Sequence, residues 1–97
     1  MTADTLRVAL LASNVPESLH EGLTEYVLTG RPTGSFLRAV LESNLYQACN
    51  RADDDNRTHL YDIVFFLVNY APGNCWQSPA AVNEWIRRGG LAGADHV

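Results

Sequence analysis

The chain contains no lysine. All seven basic residues are arginines, set against eleven acidic residues, and the formal charge is −4 over 97 residues. An all-over cationic surface of the kind that coats nucleic acid is therefore not expected, although Arg31 and Arg38 lie close enough in sequence to form a local basic patch. Cysteine is scarce. Cys49 and Cys75 make no C-x-x-C pair and have no histidine at zinc-ligand spacing, which points to buried free thiols in a reducing compartment rather than a disulfide scaffold. No run approaches the roughly 20 apolar residues of a membrane span, and the strongest candidate, IVFFLVNYA, is too short. The opening MTADTLRVALLASN lacks the cationic start and long apolar stretch of a signal peptide, so a cytoplasmic location is expected. Internal repeats and low-complexity segments are also absent.

What is present is an ordinary apolar fraction of 46%, enough for a single small domain with one core. Helical periodicity recurs between proline and glycine punctuation. Over about 16–29, Leu19, Leu23, Tyr26 and Val27 fall on one helical face, with Pro16 at the start and Gly30 suited to a left-handed residue past the end. A second helix is expected over about 35–43, and LYQACNRA either continues it or forms a third one capped by Asn44. DDDN at 53–56 offers N-cap chemistry for a helix over about 56–70. There Leu60, Ile63, Val64, Leu67 and Val68 form a stripe that Phe65, Phe66 and Tyr70 widen, which predicts a helix buried on more than one side. IVFFLV also has the composition of a strand, but the flanking polar residues keep helical spacing. Ser78-Pro79 starts the last helix, with Val82, Trp85 and Ile86 inward and Gly89-Gly90 as its stop. LRVALLA near the N-terminus is a short helix, a strand, or an arm exchanged between protomers. The expected fold is all-α: a compact bundle of four to five short helices over residues 15–90, with an N-terminal arm or short element at 1–14 and a flexible tail at 91–97.

Catalytic and metal chemistry find little support. Counted from Asp53, the sixth and twelfth positions of a calcium loop would be Thr58 and Val64, where glycine and glutamate are needed. His20, His59 and His96 are isolated, and His59 has only Asp62 one turn on, the spacing of a surface pair. No G-x-S-x-G occurs, and neither cysteine has a base nearby in sequence. The reading is a non-enzymatic protein with no catalytic residue, no metal and no cofactor.

Two stretches could form a site. In GRPTGSFLRAVL, two glycines flank Arg-Pro-Thr and a helix starts at Ser35. A helix start offers free N–H groups and a positive dipole end, Gly34 allows close approach, and Arg31 and Arg38 could bond a phosphate, with Thr33 between them. The same residues also read as a plain helix–turn–helix connection. The stretch is not a phosphate loop of the G-x-x-x-x-G-K-[ST] type, since lysine is missing. In CWQSP, Trp76 is either a core plug ahead of a Ser-Pro cap or a face that stacks a base or anchors a partner.

VPESLHEGLTEYVLTGRPTGSFLRAVLESNL, RADDDN and APGNCWQSPAAVNEWI together resemble a family of small proteins encoded by bacteriophages and prophages, whose pattern is a Pro-led helix, a G-x-P-x-G-S-F-L turn, an acidic loop and a C-W-G-S-P turn. The resemblance covers about residues 15–90, with Thr33 where a second proline is common and Gln77 where glycine is common. It implies a phage accessory protein acting in the host cytoplasm on host defence or regulation.

Two functions follow as expectations. In the first, a homo-oligomer sequesters an anionic, nucleotide-type defence signal, with Arg31, Thr33, Gly34, Ser35 and Arg38 on the phosphate and Tyr26, Tyr46 or Trp76 stacking the base. In the second, the chain is an inhibitor or adaptor that blocks a host protein through an acidic surface built on Asp53, Asp54 and Asp55.

Overall fold

Helix-stopping and helix-starting side chains recur every ten residues or so, and the helices between them are short. The computed structural model describes residues 3–94, which form eight α-helices and two 3-10 turns, with no strand among the described residues. The helices are α1 (Ala3–Leu11), α2 (His20–Thr29), α3 (Ser35–Leu41), α4 (Leu45–Arg51), α5 (Asp54–Thr58), α6 (Leu60–Tyr70), α7 (Pro79–Arg88) and α8 (Gly90–Ala94). The 3-10 turns are Glu17–Leu19, ahead of α2, and Gly73–Cys75, ahead of α7.

The fold is all-α as expected, but the four to five expected helices become eight, and the reason is local capping. Asn44 ends any continuity between α3 and α4, because its Oδ1 accepts the Gln47 N–H at 3.1 Å. Asp53 does the same for α5 by accepting from the Asn56 N–H at 2.7 Å. The helix expected over 56–70 therefore breaks at His59, whose φ and ψ of −107° and 15° separate α5 from α6. Ser78 caps α7 through the Ala81 N–H, with Pro79 in the first turn. Gly89 takes the expected left-handed conformation after α7, but Gly90 opens α8 rather than ending the chain's order. Part of the expected tail is thus helical and Leu91 packs on the core; His96 lies outside the described residues.

One core joins these pieces. Leu6 and Leu10 of α1, Leu23, Tyr26 and Val27 of α2, and Leu41 of α3 are buried together with Ile63, Phe66 and Leu67 of α6 and Val82 and Trp85 of α7. Each large apolar side chain so buried contributes about 1.5–3 kcal/mol. Of the readings open for the N-terminal segment, the short helix is the one that forms, and it packs on α2 and α6 of its own chain. Polar handles fix the register of the core. The Trp85 indole donates to the Tyr26 carbonyl at 2.8 Å, and the Tyr26 hydroxyl donates to the Cys75 carbonyl at 2.5 Å. Only one of the two thiols is buried: Cys75 sits in the core, while Cys49 is free and exposed on α4.

Candidate functional site

The turn between α2 and α3 forms as its glycines require. Gly30 has φ of 73° and donates to the Tyr26 carbonyl at 2.9 Å, closing α2, and Gly34 stands extended at the N-cap of α3. A shallow groove of about 320 Å³ lies over this turn, lined by Arg31, Thr33 and Gly34 on one side and by Glu21 and Glu25 of α2 on the other. Two carboxylates facing one guanidinium make the groove a poor place for an anion.

Arg38 does not line it. Its Nε bonds Glu42 Oε2 at 3.0 Å and its Nη2 donates to Asn83 Oδ1 at 2.6 Å, so the side chain ties α3 to α7. Ser35 is exposed at the start of α3, and its carbonyl receives a long 3.4 Å contact from Arg51. Tyr26 is wholly buried and spends its hydroxyl on Cys75, so its ring offers no face to a ligand. Trp76 is 9% exposed and belongs to a different groove. Of the seven residues expected to hold a ligand, Arg31, Thr33 and Gly34 line one groove with Ser35 next to them in the chain, whereas Arg38, Tyr26 and Trp76 are engaged elsewhere.

The groove that contains Trp76 runs between α4 and α6. It encloses about 200 Å³, with Leu45 and Ala48 on one wall, Leu60 and Val64 on the other, and Ser43 and Asn44 at one end. Two backbone irregularities frame it. Ser43 and Gln77 both hold positive φ, 60° and 98°, without being glycine. The Gln77 N–H donates to the Leu41 carbonyl at 2.7 Å, which pins the Trp76 loop to the end of α3 and holds the indole against the groove. Gln77 thus supplies with strain what a glycine would supply freely.

The acidic helix α5 connects α4 to α6, the two walls of this groove, and packs on α6. Asp53 is used as the cap, whereas Asp54 and Asp55 point outward. Asp54 makes an exposed 3.4 Å pair with Arg57, and Asp55 lies 3.5 Å from His59 Nδ1. His59 therefore pairs one turn back with Asp55, not one turn on with Asp62, because it ends α5. No group of three or more His, Cys, Asp or Glu able to hold a metal ion occurs among the described residues.

The apolar helix α6 is buried on one side, not on more than one as expected. Ile63, Phe66 and Leu67 are buried, but Tyr61, Val64, Phe65 and Val68 are 75%, 36%, 54% and 65% exposed and form one continuous arc of α6. The Tyr61 and Phe65 rings stack along it with centroids 5.9 Å apart. The signal was present in the sequence: a helix apolar all round needs partners on every side, and a domain of 97 residues has few to give.

Compared with family models, curated proteins and solved structures, the chain matches none. No helix of the described residues is long and apolar enough to cross a membrane.

Proposed function

We propose that the chain is a non-enzymatic binding protein that blocks a partner protein, covering a basic surface with the carboxylates of α5 and seating one apolar side chain in the groove between α4 and α6. The observation that carries this reading is that outward-facing Asp54 and Asp55 lie on the short helix that leads through His59 directly into Leu60, one wall of that groove. Carboxylates at the edge of a contact steer a cationic surface into register, and an apolar pocket at its centre supplies the anchor. The groove's volume of about 200 Å³ is below the range of about 300–1,000 Å³ usual for small-molecule sites and suits a single side chain. The resemblance to phage-encoded proteins adds an expectation about the partner: a nucleic-acid-handling protein of the bacterial host.

The test compares the wild type with Asp54→Asn/Asp55→Asn, which spares the Asp53 cap. Each is immobilised and exposed to bacterial host lysate over 50–400 mM salt. The expected result is one protein retained by the wild type, lost as salt rises and lost in the double variant, whose circular dichroism is unchanged. Retention that ignores both the substitutions and the salt refutes the acidic contact. Calorimetry with a panel of cyclic nucleotides provides the other arm: heat from nucleotide binding that vanishes in Arg31→Ala would transfer the function to the α2–α3 turn.

A further inference from the structure

We propose that the depression between α1 and α6 is a binding site for an alkylated ammonium ion, with Asp62 as the counter-charge and aromatic rings as the walls. The site is independent of the partner contact above. At about 100° per residue, Asp62 stands nearly half a turn round α6 from Leu60 and Val64, which line the groove beside Trp76.

The depression encloses about 290 Å³, at the lower edge of the range for small-molecule sites. Helical geometry orders its α6 wall. Going round the helix, Tyr61 and Phe65 stand on one side of Asp62, and Phe66 and Tyr70 on the other. Each pair is in ring contact, with centroids 5.9 Å apart in the first and 5.2 Å in the second. A carboxylate thus lies between two pairs of rings. On the α1 side the wall is Ala9 and Ala12, whose single methyl groups leave the space open.

The charge of Asp62 has no counter-ion in the chain. Asp62 is partly buried and makes no hydrogen bond or ion pair among the described residues. His59, one turn back, pairs with Asp55 instead. Arg7, the basic residue of α1, lines the groove against α2. The place of Asp62 in the first turn of α6 suits the helix dipole, which favours the charge without covering it. The ligand then follows by elimination. An anion is repelled. A neutral apolar guest would strip water from the carboxylate and return nothing. A metal ion would find one carboxylate where several oxygens are needed. An ammonium carrying methyl groups meets both demands: its charge faces Asp62 and the rings of Tyr61 and Phe65, and its methyl groups bury against those rings. Free choline-type molecules and methylated lysine side chains both carry this headgroup.

The test is proton NMR of choline titrated with the full chain, read as the upfield shift that aromatic rings impose on its methyl signal. Dimethylbutanol, the neutral carbon analogue of the same shape, is run beside it. The expected result is a saturable shift for choline and binding at least about tenfold weaker for the neutral analogue. Asp62→Asn should weaken choline binding at least about fivefold. Phe65→Leu, which keeps apolar bulk but removes a ring, should weaken it about two- to fivefold. Neither position is buried, and circular dichroism of each variant should match the wild type. A peptide carrying one trimethyllysine separates the two sources of the headgroup. Binding tighter than choline assigns it to a partner's side chain, and equal or weaker binding to a free molecule. No methyl shift with choline at about 20 mM, dimethylbutanol binding as tightly as choline, or binding indifferent to Asp62→Asn overturns the site.

Discussion

Gly30 and Gly90 meet backbone to backbone. A β-carbon placed on Gly90 would stand 2.5 Å from the Gly30 nitrogen, and one placed on Gly30 would stand 2.8 Å from the Gly90 nitrogen. Both residues hold positive φ, 73° and 67°. The end of α2 and the start of α8 therefore pack at a distance that only two glycines allow. The turn that looks like a ligand loop in sequence is held from beneath by the C-terminal helix.

Gly90→Ala should therefore cost stability on two counts, the clash and the strained φ, amounting to about 2–4 kcal/mol. Gly34→Ala is the matched control from the same turn. Nothing lies within 4 Å of a β-carbon there, and its φ is −66°. Its expected cost is below about 1 kcal/mol, the difference between glycine and alanine at an N-cap. Urea denaturation of the two variants beside the wild type measures both. Equal effects would mean that the Gly30–Gly90 contact carries no weight.

Tyr26 joins three segments: its hydroxyl reaches the Cys75 carbonyl, and its own carbonyl accepts from both the Trp85 indole and the Gly30 N–H. Tyr26→Phe keeps the ring but strands a buried carbonyl, at about 1–3 kcal/mol. For a domain of this size the thermal midpoint should fall by roughly 4–8 °C per kcal/mol. A midpoint within a degree of wild type would show that the hydroxyl is not needed.

The all-α class, the left-handed Gly30 and Gly89, and the Ser78-Pro79 start were legible in sequence because each depends on a few adjacent residues. The break at His59 was not, because Leu60 through Tyr70 continue the pattern so well that nothing local marks a stop. The apolar stripe was legible as a stripe but not as partly exposed. Periodicity tells which side chains share a face, whereas burial depends on whether another element covers it, and Tyr61, Phe65 and Val68 stay exposed among the described residues. For the site, Arg31, Thr33 and Gly34 are neighbours in the chain and line one groove, but the sequence could not reveal Glu21 and Glu25 across it, or the capture of Arg38 by Asn83. Those are contacts across helices, with no mark in local spacing.

Burial gives the core an alkaline weakness. It pushes the Cys75 thiol from 9.0 up to about 12, and it raises the Tyr26 phenol above 10.0, with Cys75 nearby adding to the rise. Both folded values lie above the unfolded ones. Their contribution to stability is thus intact below pH 9 and is lost as pH climbs towards the folded values, since the unfolded chain then gives up protons that the folded chain keeps. Stability should fall above pH 9, with a slope approaching about 1.4 kcal/mol per pH unit for each group in its window. Urea denaturation at pH 8, 9.5 and 10.5 should show this slope in the wild type and a shallower one in Cys75→Ala. Thiol titration at pH 8 supplies an independent check: Cys49 should react in the folded protein, and Cys75 only on unfolding. Two thiols reacting equally fast would contradict the burial of Cys75.

Arg38 separates a structural role from a ligand-binding one. Its guanidinium bridges Glu42, the residue that ends its own helix, and Asn83 on α7, and its side chain is about one-third exposed. The Glu42 pair is an i,i+4 contact near the surface, worth a few tenths of a kcal/mol. The bond to Asn83 spans two helices and is the greater loss. Arg38→Ala should therefore destabilise the fold by about 0.5–1.5 kcal/mol. Asn83→Ala should cost a similar amount, and the two together less than their sum, with a coupling of at least about 0.5 kcal/mol in a double-mutant cycle. An arginine kept for a phosphate would behave otherwise. Its removal would relieve a cluster of unpaired donors, leave stability unchanged or higher, and show no coupling to Asn83. Chemical denaturation of the four proteins of the cycle decides between these outcomes without any ligand in hand.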